Sequence, residues 1–329
     1  MKHKKLKVSL IIIAAVLIAI ILPTLFTPYP TALVLNLAFK KGVKTEPDNF
    51  HEIQQLVNVH RDLKYESTAK KNMLDLFLPK TQNELTPIVI WIHGGGFVGG
   101  DKSDVDYFAT CLAADGFAVA SINYQLAPWA KFPSPINQTG EAYKWLKDNS
   151  EKYSIDVSRI MLAGDSAGAH TAAAFVSTQL SKEYADNLGV YQVVENPSTI
   201  KGTLLYCGPY SLAEIKKLEN GFMRFVFSKA AAAYFGTSNW LKKYDNKAST
   251  IFNIPNNFPP CFITDGNTGS FEKQAKMLIS VFDEKGIIYD SYFTPKETAQ
   301  TQHEYQFILD TPEAQMAYNK TVQFLSTYM

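Results

Sequence analysis

The chain has 329 residues, of which 46% are hydrophobic and 19% are charged, and its formal net charge is +1. This composition excludes a disordered chain and leaves room for one large α/β domain with insertions or for two modest domains. A net charge so close to zero gives no reason to expect nucleic acid as a partner. The three cysteines, Cys111, Cys207 and Cys261, lie in apolar stretches and show neither a disulfide framework nor zinc-ligand spacing.

The N-terminus combines a basic head, residues 1–7, with an apolar run over residues 8–22. Such a run is close to the roughly 20 residues that cross a bilayer, and its basic head would remain in the cytoplasm. We therefore expect residues 1–28 to be a single-pass membrane anchor with the rest of the chain on the extracytoplasmic side. A cleaved signal peptide, which would release a secreted protein, is the alternative, although residues 23–28 form a poor cleavage site.

A second apolar stretch, residues 31–39, is too short to span a membrane. It could lie at the membrane surface or cover the mouth of an active site. Residues 45–63 are mixed and polar, with only weak helical spacing. We interpret residues 29–64 as a linker or lid segment that precedes a catalytic domain at 65–329.

Residues 73–79 predict an early strand, and residues 87–93 are an apolar, β-branched run typical of a strand buried on both faces of a parallel sheet. The run ends at His93, and Gly94-Gly95-Gly96 follow it. Consecutive glycines let main-chain N–H groups point into a cavity, as an acyl-transfer enzyme needs where an oxyanion develops. We expect His93 itself to be structural, because the catalytic base of this arrangement comes last in the chain.

Another buried strand is predicted at residues 117–124, followed by Gln125-Leu126-Ala127-Pro128 and then by a helix around residues 142–146. The alternation of apolar strands with helices predicts a mostly parallel central sheet flanked by helices.

A strand, a sharp turn and a helix are predicted around Gly164-Asp165-Ser166-Ala167-Gly168. A serine at the tip of such a turn needs small residues two positions before and after it, and both are glycine here. The pattern is that of a nucleophile elbow, and it makes Ser166 the candidate nucleophile at a helix N-terminus that favours negative charge. His170, four residues later on the helix, would point elsewhere.

Three segments together resemble the α/β-hydrolase fold and, within it, the hormone-sensitive-lipase-like esterases: the glycine loop at 93–97, residues 123–128 and the elbow. The resemblance covers about residues 65–329. It implies that Ser166 is the nucleophile and that the oxyanion donors are the backbone N–H groups of Gly95, Gly96 and Ala167. Tyr124 lies near the site in relatives, and we expect it to serve in packing.

Residues 201–206 predict the next strand, and an aromatic-rich helical stretch follows at about residues 212–250. An insertion between two strands of the sheet suggests a helical cap over the pocket. Ordinary core packing is the alternative role for its aromatic residues.

The remaining chain supplies the acid and the base. Asp265 ends a predicted strand at 259–266, where a carboxylate can orient a histidine on the same rim as the elbow. Relatives have Asp-Pro-Leu and soon afterwards a second Asp, whereas Gly266 follows here; Asp283 and Asp290 are rival acids, but they lie within a predicted helix and a predicted strand. His303 follows all three acids, which makes it the expected base.

The resulting expectation is a serine carboxylesterase, lipase-like, that cleaves short to medium acyl or acetyl esters through a Ser166–His303–Asp265 triad. It requires no metal or organic cofactor, and its partners are a small-molecule ester and, through residues 1–28, the membrane. Two alternatives use the same residues: an amidase or peptidase, and a catalytically silent, membrane-anchored binding protein.

Overall fold

The computed structural model of the protein describes residues 27–39, 42–81 and 84–329. A central eight-stranded sheet has the spatial order β1-β2-β4-β3-β5-β6-β7-β8. Strand β2 runs antiparallel to β1 and β4, and the pairs from β4 to β8 are parallel. The strands are β1 Val57–Lys64, β2 Met73–Pro79, β3 Thr86–Ile92, β4 Ala118–Ile122, β5 Ile155–Asp165, β6 Ile200–Tyr206, β7 Cys261–Thr264 and β8 Tyr289–Tyr292. The predicted α/β-hydrolase sheet is confirmed.

Helices lie on both faces of this sheet. In chain order they are α1 Tyr29–Ala38, α2 Phe50–Gln54, α3 Asp106–Ala114, α4 Ser134–Asp148, α5 Ser150–Tyr153, α6 Ala167–Leu180, α7 Lys182–Leu188, α8 Leu212–Ile215, α9 Gly221–Phe235, α10 Trp240–Ala248, α11 Glu272–Lys285 and α12 Pro312–Tyr328. Residues of α3 and α12 pack on one face, and residues of α4, α6 and α11 pack on the other.

Strand β3 shows why the sheet is buried on both sides. Ile88, Ile90 and Ile92 enter the core beneath α4 and α6, whereas Val89 and Trp91 enter the core beneath α3 and α12. Successive side chains of a strand point to opposite faces, so a continuous apolar run fills both cores.

The last part of the stretch interpreted as a linker or lid segment, residues 29–64, belongs to the sheet. Residues 57–64 form β1, which pairs with β2 at the edge of the sheet. Only Val57 of this strand is buried. An edge strand exposed to solvent carries few apolar side chains, and for this reason the sequence did not reveal it.

The first helix and the insertion after β6 pack together above the sheet. Ala32 and Leu35 of α1 share a cluster with Val226 and Ala230 of α9. Helices α8, α9 and α10 occupy the stretch predicted to be a cap. The Asn36 side chain also donates a hydrogen bond to Val98 O, directly after the glycine loop (2.8 Å), so α1 borders the site.

No helix within the described ranges is both long and apolar enough to cross a membrane. The expected anchor, residues 1–28, lies outside the described residues except for its last two positions.

Candidate active site

Ser166 stands at the turn between β5, which ends at Asp165, and α6, which begins at Ala167. Its φ of 50° and ψ of −116° are an uncommon conformation for a residue with a side chain. A Cβ on Gly164 would lie 2.4 Å from Gly168 C, and one on Gly168 would lie 1.8 Å from Ile92 O. The two glycines of the elbow are therefore required by the close approach of neighbouring backbone.

His303 lies in the loop between β8 and α12, and its Nε2 is 3.0 Å from Ser166 Oγ. Burial lowers the pKa of this imidazole to about 4. A neutral ring at pH 7 can accept the hydroxyl proton of Ser166. The structure thus brings together the predicted nucleophile and the predicted base, which are 137 positions apart in the chain.

Asp265 follows β7 and is completely buried. Its Oδ1 accepts a hydrogen bond from the Ser270 hydroxyl, and Ser270 Oγ lies 2.7 Å from His303 Nδ1. The predicted acid therefore reaches the predicted base through a third side chain. Burial raises the pKa of Asp265 to about 7, and the Ser270 hydrogen bond opposes that shift.

The two rival acids lie elsewhere. Asp283 on α11 accepts a hydrogen bond from the Tyr289 hydroxyl at 3.0 Å, in an exposed position. Asp290 on β8 is also exposed and accepts a hydrogen bond from Ser291 N. Asp265 is the one of the three that belongs to the site.

The predicted oxyanion loop follows β3. Gly95 and Gly96 have φ values of 90° and 59°, and a Cβ on Gly95 would lie 2.3 Å from Gly99 O. Gly96, Ser166 and Ala167 line one cavity together. Gly95 and Gly96 line a second cavity with Ser166, so each of the three residues named as oxyanion donors borders a cavity that Ser166 also lines.

Asp165 joins the glycine loop to the elbow, a role that the sequence analysis missed. Trp91 Nε1 donates to its Oδ1 and Gly94 N donates to its Oδ2, both at 2.8 Å. A Cβ on Gly94 would lie 2.3 Å from Asp165 Oδ2, so a glycine is needed there for this contact. The acidic residue next to the serine in the elbow was the available signal.

Glu304 was missed as well. Its Oε1 is 3.6 Å from His303 Nε2. Burial raises the pKa of Glu304 to about 7, while burial and the charge of Glu304 raise the pKa of Asp165. Burial and the mutual repulsion of the two carboxyls therefore both disfavour full ionisation of Asp165 and Glu304.

The other two histidines near the site are buried, and each contacts a backbone carbonyl instead of Ser166. His93 is buried, stacks on Tyr124 with ring centroids 4.4 Å apart, and contacts Gly94 O through Nδ1. Tyr124 in turn donates its hydroxyl to His93 O at 3.0 Å, which is the expected packing role. His170 Nε2 contacts Ala248 O at 2.7 Å and so joins α6 to the end of α10 in the cap.

Cys207, Asp265 and His303 could be considered as metal ligands, because their ligand atoms lie within 4.8 Å of one another. Burial raises the pKa of the Cys207 thiol well above its usual value, which keeps it protonated and makes it a poor ligand. Both ring nitrogens of His303 are already engaged by Ser166 and Ser270. These contacts favour the arrangement of a hydrolase over that of a metal centre.

Two cavities meet at Ser166 and differ in size and chemistry. The larger has a volume of about 200 Å³, and its lining includes Phe39, Asp104, Met223, Phe227, His303 and Glu304. The smaller has a volume of about 20 Å³, and its lining includes Phe97, Leu212, Ile215, Ala230, Ala231 and Phe235. His303 borders the larger cavity, and cap residues close the smaller one.

The sequence model of one family, BD-FAE, matches residues 74–277, which is more than half of the chain. The chain belongs to the BD-FAE family. The match includes the glycine loop, the elbow and Asp265, and it stops before His303. The likeness of this BD-FAE member to hormone-sensitive-lipase-like esterases is confirmed by its relatives.

The BD-FAE protein is similar to two curated relatives from Mycobacterium tuberculosis. It is 36% identical to esterase LipI over 118 residues, which is 35% of each chain. It is 32% identical to carboxylesterase NlhH over 126 residues, which is 38% of this chain and 39% of that protein. The matches therefore span less than half of the length of these relatives.

Solved structures share the fold over much more of the chain. The crystal structure of esterase B from Lactobacillus rhamnosis has a TM-score of 0.74 at 23% identity, covering 87% of this chain and 88% of that one. The Pyrobaculum calidifontis esterase has a TM-score of 0.64 at 21% identity, covering 84% and 88%. At these identities the likeness describes the architecture of the BD-FAE protein.

Proposed function

We propose that the protein is a serine hydrolase of carboxylic esters in which Ser166 is the nucleophile and His303 the general base. The observation that carries the proposal is the 3.0 Å contact between Ser166 Oγ and His303 Nε2 at the tip of an elbow whose glycines tolerate no side chain. The relatives named esterase and carboxylesterase support an ester as the substrate.

In the proposed reaction, Ser166 Oγ attacks the ester carbonyl while its proton passes to His303 Nε2. The backbone N–H groups of Gly95, Gly96 and Ala167 stabilise the oxyanion. The imidazolium then gives its proton to the departing alcohol, and an acyl group remains on Ser166. A water molecule, deprotonated by the same nitrogen, releases the acid and restores the hydroxyl. Asp265 provides the negative charge on the Nδ1 side of the ring.

The two cavities indicate where the two halves of the ester would bind. The departing alcohol must receive its proton from His303, so it occupies the larger cavity, which His303 borders. The acyl chain then enters the smaller cavity, whose volume of about 20 Å³ is lined by apolar side chains. About 10–15 Å³ of such volume holds one water molecule. We therefore infer acetyl and other very short acyl groups, at the short end of the range expected from the sequence.

The test is the hydrolysis of p-nitrophenyl acetate, butyrate and octanoate by the full chain and by its Ser166→Ala variant. We expect turnover that decreases from acetate to octanoate and that disappears in the variant. Equal turnover by Ser166→Ala would contradict the assignment of the nucleophile. Faster hydrolysis of octanoate would contradict the assignment of the acyl cavity.

The same preparation tests the two alternative functions, an amidase and a catalytically silent binding protein. A p-nitroanilide turned over faster than the matching ester would make the protein an amidase. An absence of turnover, together with no covalent labelling of Ser166 by a fluorophosphonate, would favour a silent binding protein.

We also infer that residues 1–28 anchor the protein in the cell membrane. The basic head and the apolar run at 8–22 support an anchor, and α1 begins directly after them with Leu33, Val34 and Leu37 47%, 62% and 71% exposed. The test is a variant with lysine at two positions in the centre of the run, Ile12→Lys and Val16→Lys. Each lysine should cost about 2.5–3.5 kcal/mol of insertion free energy. The doubly substituted protein should therefore be lost from the membrane fraction. An intact mass showing loss of the first 22 to 28 residues would instead identify a signal peptide.

A further inference from the structure

Ser270 occupies the gap between Asp265 and His303. Its Oγ is 2.7 Å from His303 Nδ1, and its hydroxyl hydrogen is directed to Asp265 Oδ1. A serine hydroxyl has one hydrogen to donate. Since Asp265 receives that hydrogen, Ser270 Oγ accepts the Nδ1–H of the imidazole, which leaves Nε2 unprotonated and free to accept from Ser166.

Asp265 depends on this contact. The residue is completely buried, and its second oxygen, Oδ2, has no hydrogen-bond partner in the part of the chain that the structure describes. Among the groups that favour its ionised form, the Ser270 hydroxyl contributes most, ahead of the Cys207 thiol and of backbone N–H groups at Phe271 and Gly266. A buried carboxylate with one oxygen left without a partner is costly unless a strong donor satisfies the other.

The loop that carries Ser270 is fixed to the loop that carries His303. The Asn267 side chain donates to Thr294 O at 2.9 Å and to Ala299 O at 2.8 Å, and it accepts from Thr301 N at 3.1 Å. A Cβ on Gly266 would lie 2.1 Å from Gln302 O, so the two loops are in direct backbone contact. This cross-linking holds the distance between Ser270 and the imidazole.

We propose that Ser270 is a positioning residue that connects Asp265 to His303, so that the site works as a chain of four side chains instead of a direct triad. The inference rests on the proposed esterase function. When Nε2 takes the proton of Ser166, the imidazolium keeps its Nδ1–H and donates it to Ser270 Oγ, whose dipole is oriented by the carboxylate of Asp265. No proton leaves Nδ1, and the charge of Asp265 acts on the ring through the polarised hydroxyl.

Other titratable groups also face these four side chains. Glu304 Oε1 is 3.6 Å from His303 Nε2, and Asp165 adjoins Glu304 in the same cavity. Cys207 lies next to Asp265 and His303. The test therefore compares the pH profiles of variants that keep Glu304, Asp165 and Cys207 and differ only in the Ser270 hydroxyl.

The variants are Ser270→Ala, which deletes the hydroxyl, and Ser270→Thr, which retains it. The control is Thr268→Ala on the same loop, whose hydroxyl points to Asn267 Oδ1 (2.9 Å) instead of to the imidazole. For Ser270→Ala we expect kcat to fall about 100-fold with KM nearly unchanged. On a logarithmic scale, this fall in kcat is about half of the 10⁴-fold loss caused by replacing a triad aspartate. The acid limb of its pH profile should also move to higher pH, because Asp265 loses a donor to its ionised form.

We expect Ser270→Thr and Thr268→Ala to retain kcat within a few fold of the unmodified protein and to leave the acid limb in place. A Ser270→Ala variant with unchanged kcat and pH profile would overturn the proposal, because Asp265 would then act on His303 without the hydroxyl.

A second measurement does not depend on activity. Nitrogen-15 NMR of labelled histidine should show His303 as the Nδ1–H tautomer in the unmodified protein and in Ser270→Thr. In Ser270→Ala the tautomer should become mixed. A pure Nδ1–H tautomer that persists in Ser270→Ala would overturn the proposal. Absence of esterase turnover in the unmodified protein would contradict the proposed function alone, since the tautomer still reports on Ser270.

Discussion

The two sides of Ser166 are constructed by different physical means. On the elbow side, backbone meets backbone so closely that a Cβ on Gly168 would lie 1.8 Å from Ile92 O. On the acid side, a network of side-chain hydrogen bonds through Ser270 and Asn267 determines the geometry. Steric exclusion fixes the geometry of the elbow side, and hydrogen bonds between side chains fix the geometry of the acid side.

This difference explains which substitutions the site should tolerate. A change on the elbow side should remove the folded protein together with its activity. A change on the acid side should remove activity and leave the fold intact, because the polar groups there orient the imidazole and contribute little to the packing of the core.

The largest effect is expected from Asp265→Asn. The change removes the charge behind His303 and should lower kcat by up to about 10⁴-fold, as in other triads. The thermal midpoint should be equal to or above that of the unmodified protein, because a buried carboxyl with a raised pKa and an unpartnered oxygen destabilises the fold when ionised. Steady-state kinetics and calorimetry at pH 8 measure the two quantities. A large fall in stability would contradict the description of the acid side.

Gly168→Ala, unlike Asp265→Asn, should lower the stability of the fold. The added methyl group must displace the backbone of β3 at Ile92, which we expect to cost about 3–5 kcal/mol of unfolding free energy. Gly221→Ala at the start of α9 is the matched control, because its added Cβ would meet only the Arg224 side chain at 3.6 Å. Denaturant unfolding checks both variants. A Gly168→Ala protein as stable as the control would show that the elbow is less crowded than described.

The pH dependence should report the acid side. Burial raises the pKa of Asp265 to about 7 and lowers that of His303 to about 4. As pH falls through about 7, Asp265 takes up a proton first and the imidazolium loses its stabilising charge, so kcat/KM should decrease there. Residual activity should disappear when His303 is protonated near pH 4. A profile that stays flat from pH 8 to pH 5 would contradict this order of titration.

The smallest effect is expected in the acyl cavity, which the cap closes. Ile215→Ala enlarges the apolar cavity beside Ser166 and should raise the ratio of butyrate to acetate hydrolysis several-fold, since each accommodated methylene contributes about 1 kcal/mol or somewhat more. Ile279→Ala on α11 is the control, because that side chain packs in the main core and not in either cavity. An unchanged ratio in Ile215→Ala would place the acyl chain elsewhere.

The same contrast explains what could be predicted from the sequence. Gly94, Gly95, Gly164 and Gly168 are steric requirements of the structure, and they lie in the two contiguous motifs that the sequence alone indicated, the glycine loop and the elbow. The buried strands were predicted for a similar reason, since continuous apolar runs fill both cores.

The acid side gave a weaker signal. Chain order led to His303 and the strand end led to Asp265, but a serine five residues after Asp265 resembles any loop residue. The departure from the Asp-Pro-Leu pattern of relatives was the one indication that this loop differs. The pairing of strand β1 and the proximity of Asp165 to Glu304 depend on contacts distant in sequence, which no local pattern contains.

The central claim is that Ser166 is a nucleophile activated by His303, and covalent labelling tests it most directly. The full chain and its His303→Asn variant would each be treated with an ethyl p-nitrophenyl phosphonate, and the adduct followed by intact mass and peptide mapping. We predict one adduct, on Ser166, that forms at least about 10³-fold faster in the unmodified protein than in the variant, because the variant lacks the base. An adduct on another residue, no adduct, or equal rates in the two proteins would contradict it.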